Sequence, residues 1–563
     1  MPTHEVQLGP QSGQGGVVAA GRLASYLRHG RRRGPGASAA GARGLAASAA
    51  QGWQKGLEST SEQYAFDLSE AEVEGKVPMD IAGTLYCGGP GNFEFGKNVV
   101  DTRKDGDGFV SAWTFAGDGS CKIRGRFVGT EGYLKEQKAV SLGYEGPHVY
   151  RSRLAAAPVL GQAAGLYQID DVKPNANSGV AHFAGRLLAI DDCFLPVELD
   201  PAGLYTVGPT RLPKGKFPFT EDTLPKRGPF AIPKYDPAEN RLVGLSCKTL
   251  ARPTYNTRTI LYEYDDKWVM ANKRQVPFAD YRRFPDFAFT RTDFVLAESP
   301  LDVQWLTYVA GGKTVSECVK YDKGGKSKFH LVPRKGGGEP VVVEGEADVI
   351  ERLVNAYTDR ESGDVVVDAI SMSDLPTYDD TKPEEGPRTR LVRWTMKPDG
   401  STGASRTELS SKELDYPTIN PFVRSVKHGH VFSSLKVGGT PRGLHALDMA
   451  GGTESEWMAD EGHFPAPPAF LCRLDGAAEN DGYLASVVYD SSKHRSYLAI
   501  LEAQNLSNGP VCKIWLKSHI PHGSLPTWAD GYVPSKQDYS EGRRKALWSD
   551  KGWEEFDSQI PFI

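Results

Sequence analysis

The side chains best suited to hold a metal ion are twelve histidines, at positions 4, 29, 148, 182, 330, 428, 430, 445, 463, 494, 519 and 522. His428-x-His430 has the spacing that puts two imidazoles on one face of a strand, and His519 stands three residues before His522. These pairs read first as hydrogen-bonded or exposed histidines; a metal site built from them is the alternative. Seven cysteines (87, 121, 193, 247, 318, 472 and 512) never fall in Cys-x-x-Cys spacing, so zinc-ribbon and dithiol chemistry fail on spacing. They read as small buried hydrophobes in a reducing compartment rather than as a disulfide framework. Asp105-Gly106-Asp107-Gly108 begins like a calcium loop but lacks the downstream ligand spacing. The glycine-rich run from Gly88 to Gly96 leads into no helix, so it does not cradle a phosphate. Lys335-Gly-Gly-Gly-Glu339 reads as a hairpin tip, and no Ser-His-Asp arrangement is supported by spacing.

The elements that must position any site are strands. Val392, Trp394 and Met396 alternate with Leu391, Arg393 and Thr395 before a turn at Lys397-Pro-Asp-Gly400. Cys512, Ile514 and Leu516 alternate in the same way after Leu506-Ser-Asn-Gly509, as do Ile260, Tyr262 and Tyr264 before Asp265-Asp266. Val365–Ile370 follows the turn at Arg360-Glu-Ser-Gly363. With 62 glycines and 38 prolines and little helical periodicity, the chain is expected to be all-β, built from consecutive hairpins. Hydrophobic residues at 39% and charged residues at 24% describe a globular chain with ample core material in its 563 residues. A net charge of −5 gives no electrostatic case for nucleic acid, and no apolar run reaches the ~18 residues of a membrane span. Residues 1–55 differ in kind. Six arginines (22, 28, 31, 32, 33 and 43) and one acid, Glu5, precede Trp53, the composition of an organelle transit peptide or a disordered leader. The folded domain is therefore expected over residues 56–563.

A series of segments in fixed order then resembles one family. Val77–Gly96 (VPMDIAGTLYCGGPGNFEFG), Asp105–Val110, Arg126–Leu134, Asn175–Val180 and Gly185–Ala189 come first. Leu195–Pro201, Asp415–Asn420 (DYPTIN) and Glu479–Leu484 (ENDGYL) follow. Together they resemble the carotenoid oxygenase (carotenoid cleavage dioxygenase or retinal pigment epithelial membrane protein) family from about residue 77 to about 530. The resemblance implies a single seven-bladed β-propeller with a loop and helix dome over the axial face. It also implies an iron(II) ion on the axis, held by four histidines, that cleaves a polyene double bond with O₂. Imidazole suits iron(II), and open coordination positions admit oxygen.

In the four segments that match the family's ligand strands, the histidine is replaced. Phe230–Pro237 offers Ile232, Phe284–Thr290 offers Pro285, Glu351–Tyr357 offers Arg352, and Ile520–Trp528 offers Leu525. None supplies a suitable lone pair, and a guanidinium about 4 Å from a divalent ion costs roughly 8 kcal/mol at an effective dielectric near 20. The three glutamates that support the family's histidines align with Asp192, Asp415 and Pro467, so Arg352 is expected to pair with Asp192 or Asp415. The resulting expectation is a divergent member with no catalytic residues and no cofactor. It would bind a carotenoid or apocarotenoid, or act as a scaffold within a protein complex; the alternative is an active dioxygenase with relocated iron ligands. Peripheral membrane contact is compatible with the reading. The leader and the plastid home of many relatives point to the plastid, with mitochondrion or cytoplasm as alternatives.

Overall fold

The computed structural model describes residues 52–60, 62–100, 102–144, 150, 172–210, 231–251, 255–304, 307, 315–376 and 381–540. The leader expected over 1–55 lies outside them except for its last four residues. Seven antiparallel sheets of four to six strands carry the fold, with two separate two-stranded hairpins, Glu94–Phe95 with Asn98–Val99 and Leu301–Val303 with Val319–Tyr321. The all-β, seven-bladed expectation holds. The longest helix among the described residues is Glu131–Ser141, started by Thr130, whose hydroxyl accepts from the Tyr133 amide. Much of the expected dome falls on residues outside the described ones. No described helix is long and apolar enough to cross a membrane.

Ring closure fixes the architecture. The first blade runs Tyr64–Asp67, Cys121–Phe127, Asp107–Ala116, Ala82–Asn92 and then Leu525–Asp530, so its innermost strand comes from the far end of the chain. Leu525 pairs with Gly88 and Trp528 with Leu85. The last blade takes its outermost strand, Glu72–Gly75, from the start of the chain, where Glu72 pairs with Trp515. Two crossings thus close the ring. The remaining innermost strands are Val180–Phe183, Lys234–Asp236, Ala288–Phe289, Val349–Thr358 and Glu413–Thr418. In the last blade the innermost strand is broken into His463–Pro465 and Ala469–Cys472, both paired to Gly482–Asp490. Pro467 and Pro468 sit in the break, where a residue without an N–H cannot donate to the ladder.

Seven hydrophobic clusters fill the seven gaps between blades. Leu85, Trp113 and Ile123 meet Leu471, Leu498 and Ile514 across the closure. Tyr86 and Val110 meet Val180 and Leu187; Phe183 and Leu188 meet Leu242 and Tyr262. Val243 and Leu245 meet Phe289 and Phe294, and Val295 and Phe329 meet Val367 and Trp394. Ile370 and Leu391 meet Val431 and Leu447; Phe432 and Leu444 meet Phe470 and Tyr497. Neighbouring residues such as Leu242 and Val243 serve opposite clusters, because successive side chains leave a strand on opposite faces. Both faces of each blade are therefore buried, which accounts for the apolar strands. All seven cysteines are free, and five of them are buried.

The packed body reaches back past residue 56. Trp53 is buried, its ring stacked 3.7 Å from that of His522 and edge-on to Phe464 at 5.6 Å. Trp53→Ala is expected to destabilise the protein by about 3 kcal/mol. The check is the chemical denaturation midpoint; an unchanged midpoint would place Trp53 outside the cooperative body.

Candidate functional site

The four replaced positions lie on or immediately before the innermost strands of four blades: Ile232 before Lys234–Asp236, Pro285 before Ala288–Phe289, Arg352 within Val349–Thr358 and Leu525 at the head of Leu525–Asp530. Ile232 and Leu525 converge on Gly179, whose backbone has φ +131°. A Cβ there would stand 2.8 Å from Ile232 Cδ1 and 3.6 Å from Leu525 Cβ. This half of the site is hydrocarbon.

The other half is ionic and spans three blades. The Lys234 ammonium donates to Asp286 Oδ2 at 3.0 Å, to the Phe287 carbonyl at 2.6 Å and to the Leu353 carbonyl at 2.8 Å. Asp286 Oδ2 also accepts from the Leu353 amide at 2.8 Å. All three Lys234 protons are thus used, and the residues beside Pro285 and Arg352 are joined without any ion between them. Burial lowers the Lys234 pKa, and the Asp286 carboxylate works against that shift. Two residues further along the same segment, Asp236 accepts from Arg334 Nη2 at 2.7 Å, while Arg334 Nε donates to Glu263 at 2.8 Å. Asn355 donates to the Val426 carbonyl at 2.9 Å, and its carbonyl accepts from the Ser425 amide at 3.0 Å.

Arg352 pairs with Asp415 and not with Asp192. Its Nε donates to Asp415 Oδ1 at 3.0 Å, and its guanidinium carbon lies 3.8 Å from the centre of the Tyr416 ring. Burial opposes the charge, but Tyr416 and Asp415 outweigh it and raise the pKa above the ordinary arginine value. Lys436 stands 3.5 Å from the other Asp415 oxygen. Asp192 instead lies 3.5 Å from Lys104. The neighbouring Asp191, which the sequence reading did not single out, is the buried acid: its oxygens accept from the amides of Asn175, Ala176, Cys193 and Phe194. Pro467 has no donor to offer.

Among the described residues His494 and His519 approach one another, with ring centroids 4.2 Å apart, but neither stands at one of the four ligand-matching positions. His428 is enclosed between Asp368, 3.1 Å from its Nε2, and Asn355, 3.1 Å from its Nδ1. His430 meets Asn480, and His519 meets the Glu58 carbonyl. Among the described residues the one group with metal-ligand geometry is Asp191, Asp192 and Cys193, which contains no histidine. The side chains at the four ligand positions do not fit an iron(II) ion bound through imidazoles: two are hydrocarbon, one is an imino acid ring and one is a cation held by Asp415.

Lys234, Asp286, Tyr416 and Arg424 were not singled out by sequence. Lys234 and Asp286 stood inside the matching segments, two and one residues past the replaced histidines, and that adjacency was the available signal. Arg424, whose Nη1 donates to the Tyr235 carbonyl at 3.1 Å, carried none.

A family model described as retinal pigment epithelial membrane protein matches residues 58–530. The apocarotenoid-15,15'-oxygenase of Synechocystis sp. is 28% identical over 492 residues, covering 85% of this chain and 96% of that protein. The isoeugenol monooxygenase of Pseudomonas nitroreducens is 25% identical over 474 residues, covering 80% of this chain and 92% of the relative. The solved structure of cobalt-substituted Synechocystis apocarotenoid oxygenase aligns with a TM-score of 0.75 at 27% identity, covering 85% of this chain and 99% of that one. This last match corrects the expectation of no cofactor. That expectation was drawn from four side chains, whereas a relative of the same fold, matching 85% of this chain, is a cobalt-substituted protein.

Two outcomes test this geometry. Arg352→Met and Asp415→Asn are each expected to destabilise by about 1–2 kcal/mol, with the double variant costing less than their sum; a coupling of zero would mean that the pair does not hold the two blades. Burial also lowers the pKa of His182 from 6.5 to about 4, and lowers those of His445, His463, His519 and His522. Between pH 6.5 and 4 the unfolded chain binds more protons than the folded one at these residues, so stability falls as pH falls through that window. His182→Phe should flatten the decline measured by denaturation at stepped pH.

Proposed function

Because the chain belongs to the retinal pigment epithelial membrane protein (carotenoid oxygenase) family, we propose that it binds a conjugated apolar molecule of the apocarotenoid class at the propeller axis without cleaving it. The observation that carries this reading is the Arg352–Asp415 ion pair, stacked on Tyr416, at a position where the family's chemistry uses an imidazole. Cleavage by the family's route requires oxygen at an ion with open coordination positions, and a guanidinium neither ligates such an ion nor tolerates it nearby. The residues that flank the replaced positions keep a different task. Lys234, Asp286, Asp236 and Asn355 join neighbouring blades through hydrogen bonds made wholly within the protein, which supports a scaffold maintained for binding.

The ligand class follows from two supports. Ile232 and Leu525 make one side of the site apolar, and the relatives include oxygenases named for an apocarotenoid and for isoeugenol, both conjugated alkenes. Cleavage at relocated ligands is the competing reading, favoured by the metal-holding relative.

Full-length protein incubated with β-apo-8'-carotenal should co-elute with polyene absorbance in size-exclusion chromatography. With Fe(II) and O₂ supplied, the absorbance should persist and no shorter aldehyde should form. Multiple turnovers to cleaved aldehydes would sink the proposal in favour of the competing one.

A further inference from the structure

Arg352 is satisfied on one edge and one face and open on another. Its Nε is bound to Asp415 and one face of its plane rests on Tyr416, yet among the described residues its two Nη groups make no hydrogen bond. The side chain lies deep enough for burial to be the main influence opposing its charge, and still 27% of its surface is accessible. The platform is also held in place before anything binds. Tyr416 adopts φ +46°, a left-handed conformation that bulky residues rarely take, and its amide donates to Asp415 Oδ1 at 2.8 Å. The same carboxylate oxygen therefore positions both the guanidinium and the ring beneath it.

The charges around this position do not balance. Asp415 is shared by Arg352 and Lys436. Asp286 is held by Lys234 and also faces Arg424, whose Nε is buried with no hydrogen-bond partner. Burial pulls the Arg424 pKa down to about 10, which leaves it charged at neutral pH. Of the nearby acids, Glu351 is held by Arg283, while Asp236 shares Arg334 with Glu263 and also faces Arg424. Arg352 and Lys436 thus share the single carboxylate of Asp415. An arginine with its Nη edge free is the geometry that takes a carboxylate through two parallel N–H···O bonds.

We propose that the Nη edge of Arg352 is an anion seat, and that the physiological ligand is a conjugated apolar molecule ending in a carboxylate. This inference rests on the binding reading above and adds the chemistry of the ligand's end group. A polyene tail is served by hydrocarbon walls alone; the carboxylate supplies the missing negative charge at the axis.

The test compares three probes with one polyene and different ends: all-trans-retinoic acid, all-trans-retinal and all-trans-retinol, titrated into full-length protein at pH 7.5 by quenching of tryptophan fluorescence. The acid is expected to bind at least tenfold more tightly than the alcohol and the aldehyde. Arg352→Gln should erase that preference by weakening retinoic acid binding at least tenfold, and its fold is checked by an unchanged far-ultraviolet circular dichroism spectrum. If all three probes bind equally to the unaltered protein, the anion seat is refuted while the binding function stands. If none binds, both fall. Retinoic acid preference that survives in Arg352→Gln would also overturn the assignment to Arg352.

Discussion

Everything at the axis depends on one ammonium group. Lys234 reaches from the innermost strand of the third blade to a carboxylate and a carbonyl of the fourth and to a carbonyl of the fifth. A buried cation with three good acceptors is stable, whereas the same cation with one acceptor removed would be costly, so the geometry of three blades is fixed together. Asp286 completes the tie by receiving the Leu353 amide, which sits beside Arg352. In a propeller the blades touch mainly through side chains, and the hydrophobic contacts between them are non-directional. The charged ties supply direction.

That constraint ties neighbouring blades together around the four positions that match the family's ligand strands. Hydrogen bonds between blades run through Lys234, Asp286 and Asn355, beside these positions, and through Arg352 itself. Asp236 anchors Arg334, Asn355 anchors the loop at 423–428, and Asp415 anchors Arg352. The four positions therefore present a mixed set of side chains, hydrocarbon at Ile232 and Leu525 and cationic at Arg352, within a closed ring. The metal held by a relative shows that the same frame also serves a transition-metal ion. What the frame hosts is decided by a few inward side chains.

The fold was legible because strand alternation, turn residues and ordered family segments all agreed. The site was legible only in part. The pairing of Arg352 with an acid was expected from charge, but the choice between Asp192 and Asp415 was not available from spacing, since each lies on a different blade. Asp192 proved to lie beside Lys104, and the buried acid of that pair is Asp191, one residue earlier. Alignment by neighbours cannot tell which of two adjacent aspartates turns inward, because the turn itself decides it. Tyr416 gave no signal, for its role comes from a left-handed backbone that brings its ring under a residue sixty-four positions away.

By itself the sequence determined the all-β class, the family resemblance and the identity of the side chains at the four ligand positions, because these rest on local patterns and on residue chemistry. Only the tertiary structure decided that strands from both ends of the chain close the ring and that Lys234 joins three blades. It also decided that Arg352 meets Asp415 while its outer edge stays open. These are contacts between residues far apart in the chain, and their partners are selected by the angle and spacing of the blades, which no local pattern encodes.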